Sequence, residues 1–123
     1  DLQEERGLTY MFITHNLSVV KHISSEIVVM YLGQCVESAQ SDELFEDPKH
    51  PYTNALLSAI PVPNLSRRNK RREVIRGEVT SPINPKPGCR FPARCPYAKP
   101  ECTAADIPLK EISKGHFVSC ILY

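Results

Sequence analysis

The chain has 123 residues, of which 41% are hydrophobic, and its 15 basic and 14 acidic side chains nearly cancel. No apolar run approaches the roughly 20 residues that a membrane helix needs, so a transmembrane protein is excluded. The balance hides two unlike segments: residues 1–60 hold 3 basic and 9 acidic side chains, whereas residues 61–123 hold 12 and 5. An odd number of cysteines, without a visible secretory leader, favours the reducing cytosol over a disulfide framework.

The N-terminal residues predict the end of a helix followed by a buried strand. Residues 1–6 suit the last turns of a helix that Gly7 stops, because glycine readily takes the left-handed conformation found there. Residues 8–14 are rich in aromatic and β-branched side chains without polar alternation. This pattern predicts a strand covered on both faces in an α/β protein, with His15 directly after it.

The following elements are predicted from local boundary residues. They are a helix over 17–23 capped by Asn16 or Ser18, a hairpin of strands 26–32 and 35–39 turning at Gly33, a helical turn from Ser41 that ends before Pro48, and a helix over 52–60 between Pro51 and Pro61. The alternation of helices and strands indicates an α/β segment.

The composition changes after residue 60, since all 11 prolines lie beyond position 47. Residues 61–79 are predicted to form a linker with a basic run at 67–72, ending in a short strand over 74–79. Residues 80–123 form a small cysteine-rich extension, in which proline, glycine and cysteine should leave little regular structure. The predicted division is therefore 1–60, 61–79 and 80–123.

His15 is the candidate catalytic residue. It lies at the predicted carboxyl end of a buried strand, where α/β sheets place their ligand-binding crevice. An imidazole there could donate a hydrogen bond to a phosphate oxygen or position a water molecule. The alternative is a histidine that only satisfies backbone groups at the end of the strand.

Several segments resemble one protein family. Residues 12–20, FITHNLSVV, resemble the switch-histidine segment of ABC-transporter ATPase subunits. Four further segments resemble the subfamily that serves oligopeptide and dipeptide importers. They are Met30-Tyr31-Leu32-Gly33, Glu43-Leu44-Phe45, His50-Pro51-Tyr52-Thr53 and Ala55-Leu56-Leu57-Ser58-Ala59-Ile60-Pro61. The resemblance covers essentially the whole chain, and it implies the end of a P-loop ABC ATPase domain followed by that subfamily's C-terminal extension.

This resemblance implies an ATP-hydrolysing subunit that energises peptide import and uses ATP and Mg²⁺. His15 would be the switch histidine that contacts the γ-phosphate of ATP, although Asn16 replaces the aspartate common after it. The sequence contains no GxxxxGK[ST] loop, no Leu-Ser-Gly-Gly-Gln signature and no hydrophobic strand ending in Asp-Glu. We therefore expect a C-terminal fragment, opening partway through a helix, that is inactive alone although the complete subunit is an ATPase.

The resemblance also implies partners and a location. The expected partners are a second ATP-binding subunit, in a homodimer or heterodimer, transmembrane permease subunits and, indirectly, a peptide-binding protein. Nucleic acid is not expected. The implied location is cytoplasmic, peripheral on the inner face of the cell membrane. The peptides imported would be selected by other subunits.

Four cysteines form the second candidate site. Cys89, Cys95, Cys102 and Cys120 have the spacing C-x5-C-x6-C-x17-C, and four thiolates can hold either zinc or an iron-sulfur cluster. The wide gaps do not suit the tight knuckles of zinc ribbons. Since some members of the importer subfamily carry an iron-sulfur cluster in this extension, the resemblance favours that cofactor over zinc.

Other interpretations of the cysteines stay open. The four thiols could form disulfides or remain buried, and His116, four residues before Cys120, could support or replace a ligand. Cys35 falls within a predicted strand and is interpreted as a small buried hydrophobic residue.

The basic run at 67–72 suggests an alternative function, a small metal-stabilised nucleic-acid-binding or interaction module. The run has no interleaved aromatic residues and no recognition helix beside it. A charged linker is therefore favoured.

Overall fold

A computed structural model of the chain describes residues 2–60, 75, 77–79, 81 and 83–123. Its regular elements are α1 (Leu2–Arg6), α2 (Leu17–Ile23), β1 (Glu26–Tyr31), β2 (Gln34–Gln40), α3 (Ser41–Glu46), α4 (Pro51–Ser58), 3-10 turns at Pro92–Arg94 and Pro100–Thr103, β3 (Lys110–Ser113) and β4 (His116–Val118). The basic run at 67–72 lies outside the described residues, as do residues 74 and 76 of the strand predicted over 74–79. The described residues 75 and 77–79 form no strand, so that prediction is wrong for them.

The strands form one antiparallel sheet in the order β1-β2-β4-β3. The central strand β2 pairs with β1 along its length and with β4 at Glu37 and Ser38. The backbone N–H of Ser119 also donates to the Val36 carbonyl, at 2.9 Å. The fold is thus a small mixed α/β unit, and the region predicted to be nearly irregular adds two strands to the same sheet.

Several boundaries predicted from local residues are confirmed, although α4 runs over Pro51–Ser58 and not over 52–60. The Asn16 side chain caps α2 by accepting a hydrogen bond from the Val19 N–H at 3.3 Å. The β1–β2 turn has positive φ at Leu32 (47°) and Gly33 (77°), which is the geometry a two-residue hairpin turn requires. Helix α3 begins at Ser41 as predicted, but its cap position is Gln40, which makes no side-chain cap.

The strand predicted over 8–14 is wrong. These residues form no regular secondary structure and are exposed, with Met11 at 90% and Ile13 at 96% exposure. A strand is stable only when neighbouring strands satisfy its N–H and C=O groups and cover its side chains. None of the described strands pairs with this segment.

The core joins the beginning of the chain to its end. Phe91, which follows the linker, packs against Tyr31 of β1 and Tyr52 of α4, with ring centroids 5.2 and 5.4 Å apart. The start of β2 is also tied to this region: the Gln34 side-chain amide donates to the Gly88 carbonyl and accepts the Arg90 N–H, each at 3.3 Å. The segments on the two sides of the linker therefore share one core.

Candidate functional site

His15 is exposed and lies in a bend between residues 8–14 and α2. The bend is held by the Asn16 N–H, which donates to the Thr14 hydroxyl at 3.1 Å. The imidazole therefore has a defined backbone position at the start of a helix, but the described residues build no crevice around it. With its side chain open to solvent, His15 can contact a ligand only if other polypeptide completes the site.

The four predicted cysteine ligands face a common small pocket. Cys89, Cys95, Cys102 and Cys120 line it together with His50 and a ring of apolar side chains. Burial raises the pKa of the Cys89 and Cys120 thiols, and backbone N–H groups next to each sulfur oppose that effect. Cys89, Cys102 and Cys120 carry free thiols.

The prediction of an iron-sulfur cluster at these cysteines is wrong, and zinc is equally unsupported. Among the residues that the structure describes, which include all four cysteines, no group of three or more histidine, cysteine, aspartate or glutamate side chains is arranged to hold a metal ion. The spacing brings the residues to one pocket, but the described residues contain no group of ligands of the kind that tetrahedral coordination requires.

A buried carboxylate, Glu37, organises the strongest polar network in the described chain. Its side chain is 0% exposed at the middle of β2. One oxygen accepts the Lys49 N–H at 2.8 Å, and the other accepts the His50 N–H at 2.9 Å. A buried carboxylate must be paired or fully hydrogen-bonded to remain charged. Glu37 therefore fixes the turn that leads into α4.

His116 of β4 completes this network. Its Nε2 lies 2.7 Å from Glu37 Oε1, and its Nδ1 lies 2.9 Å from Glu43 Oε1 on α3. A protonated imidazole suits both contacts, since each ring nitrogen then carries a hydrogen to donate. The hydrogen bonds from His116 and Ser113 lower the pKa of the Glu43 carboxyl. The histidine thus joins β2, α3 and β4 through its contacts with two carboxylate side chains.

His50, next to this network, is in its neutral form. Its Nδ1 accepts the Tyr52 N–H at 3.1 Å, which caps α4 and puts the ring hydrogen on Nε2. Burial lowers the pKa of His50 from 6.5 to about 4, and the charge of Glu37 only partly opposes this. Pro51 occupies the first turn of α4, as predicted. The His-Pro-Tyr segment is therefore a helix cap with a neutral, buried histidine.

The sequence did not indicate the role of Glu37 or its pairing with His116. These residues are 79 positions apart, and no local pattern links them. A glutamate at the centre of the predicted strand 35–39 was the available sign, because a charge in a central strand needs a partner. The network can hold elements in place and carry charge, but its buried carboxylate gives it no access to a substrate.

Comparison of the sequence with known proteins places the chain in a family. The sequence model described as "Oligopeptide/dipeptide transporter, C-terminal region" matches residues 36–102. That range includes Glu37, the His-Pro-Tyr cap and three of the four cysteines that line the pocket. The chain belongs to this family.

Several relatives match along almost all of the chain. It is 52% identical to the oligopeptide transport ATP-binding protein AppF of Bacillus subtilis over 124 residues, covering 100% of the chain and 38% of the relative. It is 52% identical to OppF of Salmonella typhimurium and 51% identical to OppF of Escherichia coli, in each case over 98% of the chain and 36% of the relative. The chain therefore spans little more than a third of the length of these relatives.

Proposed function

We propose that this chain serves as the C-terminal part of an ATP-hydrolysing subunit that energises the import of peptides across the cytoplasmic membrane. In this proposal His15 contacts the γ-phosphate of ATP and helps to align the attacking water. ATP with Mg²⁺ supplies the driving reaction, and the phosphate-binding and magnesium-binding groups come from polypeptide outside this sequence. The chain itself contributes the imidazole and the framework that supports it.

The observation that carries the proposal is the match, at about half identity and without large gaps in coverage, to proteins named oligopeptide transport ATP-binding proteins. The matched range includes position 15, and His15 lies in a bend directly before the capped helix α2. This placement supports a histidine presented to a ligand at the edge of a larger domain.

The exposed apolar surface also supports a chain that works inside a larger domain. Beside residues 8–13, the outer face of β1 exposes Val28 and Met30, and α2 exposes Val19 and Ile23. Large apolar side chains left exposed in this number are typical of an interaction surface. No helix in the described part of the chain has the length and apolar character to cross a bilayer. We propose that the rest of the subunit covers this surface.

The remaining parts of the proposal concern partners and organisation. The complete subunit would pair with a second ATP-binding subunit and with transmembrane permease subunits on the inner face of the membrane, and a peptide-binding protein would act with them indirectly. The division at 1–60, 61–79 and 80–123 stays a prediction. No observation on the described residues favours the nucleic-acid-binding alternative.

The test uses the complete subunit that contains this sequence. We expect His15→Ala to lower magnesium-dependent ATP hydrolysis at least about a hundredfold while ATP affinity changes little, because the imidazole acts on the γ-phosphate rather than on binding. His22→Ala is the matched control, since His22 is also exposed but lies in the last turn of α2, at the other end of the helix from His15. We expect it to retain full hydrolysis.

The outcome that contradicts the proposal is an equal loss of hydrolysis and ATP binding in the His15 variant, which would indicate a structural histidine. The chain alone provides a second check. It should show no magnesium-dependent turnover of ATP, and robust turnover by the purified chain would refute the assignment of the phosphate-binding groups to other polypeptide.

A further inference from the structure

His15 lies directly before α2, and strands β3 and β4 are connected to that helix through α3. We propose that Glu43 and His116 are positioning residues for His15: the two C-terminal strands hold α3, α3 holds α2, and α2 presents the imidazole to the nucleotide. This inference rests on the role proposed for His15. It adds a function for the C-terminal extension, which controls ATP hydrolysis without touching the nucleotide.

The position of His15 depends on α2 because the residues on its two sides are fixed to that helix. Asn16 accepts the Val19 N–H with its side chain, at 3.3 Å, and the Val20 N–H with its carbonyl, at 3.2 Å. The Asn16 N–H donates to the Thr14 hydroxyl at 3.1 Å. The two neighbours of His15 are thus bonded to each other, and one of them caps the helix. A shift of α2 therefore moves the imidazole with it.

Helix α2 has little attachment of its own. It spans only Leu17–Ile23, which the structure describes throughout, and Val20 is the single buried residue among these seven. A helix of two turns is not stable in water without packing against other elements. Among the described elements, α3 is the one that α2 contacts most extensively. The position of α2 is therefore set largely by α3.

One face of α3 makes the connection to α2. Successive residues of a helix are about 100° apart, so Ser41 and Phe45 share a face and Glu43 lies on the opposite one. The Ser41 hydroxyl donates to the Lys21 carbonyl of α2 at 3.4 Å, and the Lys21 ammonium lies 5.4 Å from the centre of the Phe45 ring. An ammonium group at this distance is attracted to an aromatic ring. This face therefore fixes α3 to α2.

The opposite face of α3 is fixed to β3 and β4. Glu43 Oε1 lies 2.9 Å from His116 Nδ1 and accepts the Ser113 hydroxyl at 2.9 Å. His116 is 0% exposed, and its Nε2 lies 2.7 Å from the buried carboxylate of Glu37. It is thus a fixed point to which Glu43 is attached. Since Leu44 keeps α3 on the core, loss of the Glu43 contacts shifts the helix without detaching it.

The experiment measures kcat, ATP affinity and the urea unfolding midpoint of the complete subunit. We expect Glu43→Ala to lower kcat at least about tenfold while ATP affinity changes less than about twofold, because a small misplacement of a catalytic group slows the chemical step. Glu43→Gln, whose carbonyl can still accept from His116 and Ser113, should restore most of the rate. Glu46→Ala is the matched control, since it removes an exposed carboxylate from the same helix, and it should leave kcat unchanged.

A double-mutant cycle with His15→Ala tests whether Glu43 acts through the imidazole. In the His15→Ala background, Glu43→Ala should lower kcat less than about twofold further, since the group that it positions is absent. An additive loss in the double variant, or an unchanged kcat in Glu43→Ala alone, would overturn the inference and leave the role of His15 intact. A normal rate in His15→Ala would instead refute the proposed function, and this inference with it.

Ser41→Ala breaks the connection at its other end and decides the question even if Glu43→Ala does not fold. It removes only the hydroxyl that donates to the Lys21 carbonyl. We expect kcat to fall about threefold or more at unchanged ATP affinity, and this loss should disappear in the His15→Ala background. A normal kcat in Ser41→Ala would overturn the inference whatever the result for Glu43.

Discussion

Residues 8–14 and β1 have the same kind of sequence, a short run of apolar, β-branched and aromatic side chains, yet only β1 is a strand. All six residues of β1 pair with β2, and the strand buries Ile27, Val29 and Tyr31. Residues 8–14 have no such neighbour among the described strands and are exposed. An apolar run of this kind can therefore form a strand, but it does so only where a neighbouring strand is available to pair with it.

The largest expected effect tests the packed side of this comparison. Glu37→Ala leaves the N–H groups of Lys49 and His50 and the Nε2 of His116 buried without their acceptor. We expect it to lower the free energy of unfolding by about 3–5 kcal/mol, measured by urea denaturation. Glu46→Ala, which removes an exposed carboxylate from α3, should change it by less than about 0.5 kcal/mol. Equal effects of the two substitutions would show that the network does not hold the fold together.

The second prediction concerns pH. Because the pKa of folded His50 is about 4 and its ordinary value is 6.5, the unfolded chain takes up a proton that the folded chain does not. This contribution to stability is complete above pH 6.5 and is lost as the pH falls towards 4, by about 3 kcal/mol in total. In His50→Asn, which can still cap α4, the loss should be absent.

The measurement is the difference between the two proteins in free energy of unfolding from pH 7.5 to 4.5. Effects of the Glu43 carboxyl, whose pKa is also lowered, occur in both proteins and cancel. Parallel curves would show that His50 is not buried in its neutral form.

The third prediction concerns Gly88. Gly88→Ala forces a Cβ atom against the Cys102 carbonyl at a positive φ, and we expect it to lower the free energy of unfolding by about 2–3 kcal/mol. Gly115→Ala is the matched control, because Gly115 also has a positive φ (76°) but has open space where the Cβ would lie. Gly115→Ala should lower the free energy of unfolding only by the cost of placing a Cβ atom at a positive φ, about 1 kcal/mol. Thermal unfolding of both variants separates the clash from the conformational preference.

The smallest expected effect tests the unpaired segment. Ile13→Ser should change the free energy of unfolding of this chain by less than about 0.5 kcal/mol, since Ile13 is 96% exposed. Ile27→Ser, the same substitution in β1, should lower it by about 3 kcal/mol because Ile27 is buried. If Ile13→Ser proves as destabilising as Ile27→Ser in urea denaturation, residues 8–14 are packed in solution and the comparison fails.

Local features of the sequence were sufficient for most of the helices and for the hairpin. Asn16, Gly33 and Pro51 each determine a boundary through their own backbone or side-chain chemistry, so their neighbours need not be known. The strand over 8–14 failed because its formation depends on partners. The same limit explains why β4 and its pairing with β2 were not foreseen.

The candidate sites likewise combine features that local sequence predicts with features that depend on distant residues. The spacing of the cysteines correctly suggested that they belong together, since all four line one pocket. It could not show whether the side chains are grouped as a metal site requires, and no such group is found among the described residues. The contacts of His116 with Glu37 and Glu43 join parts of the chain that no window along the sequence brings together.

The central position of β2 has a consequence for the order in which the chain folds. Its pairing with β1 closes a two-residue turn, whereas its pairing with β4 joins Glu37 to Val118. Closing that longer loop carries an entropic penalty of roughly 2 kcal/mol more than closing a short hairpin. During synthesis, the Glu37 side chain must remain in water until His116 has left the ribosome. The hairpin is thus expected to form early, and its buried charge can be enclosed only as the last residues of this sequence arrive.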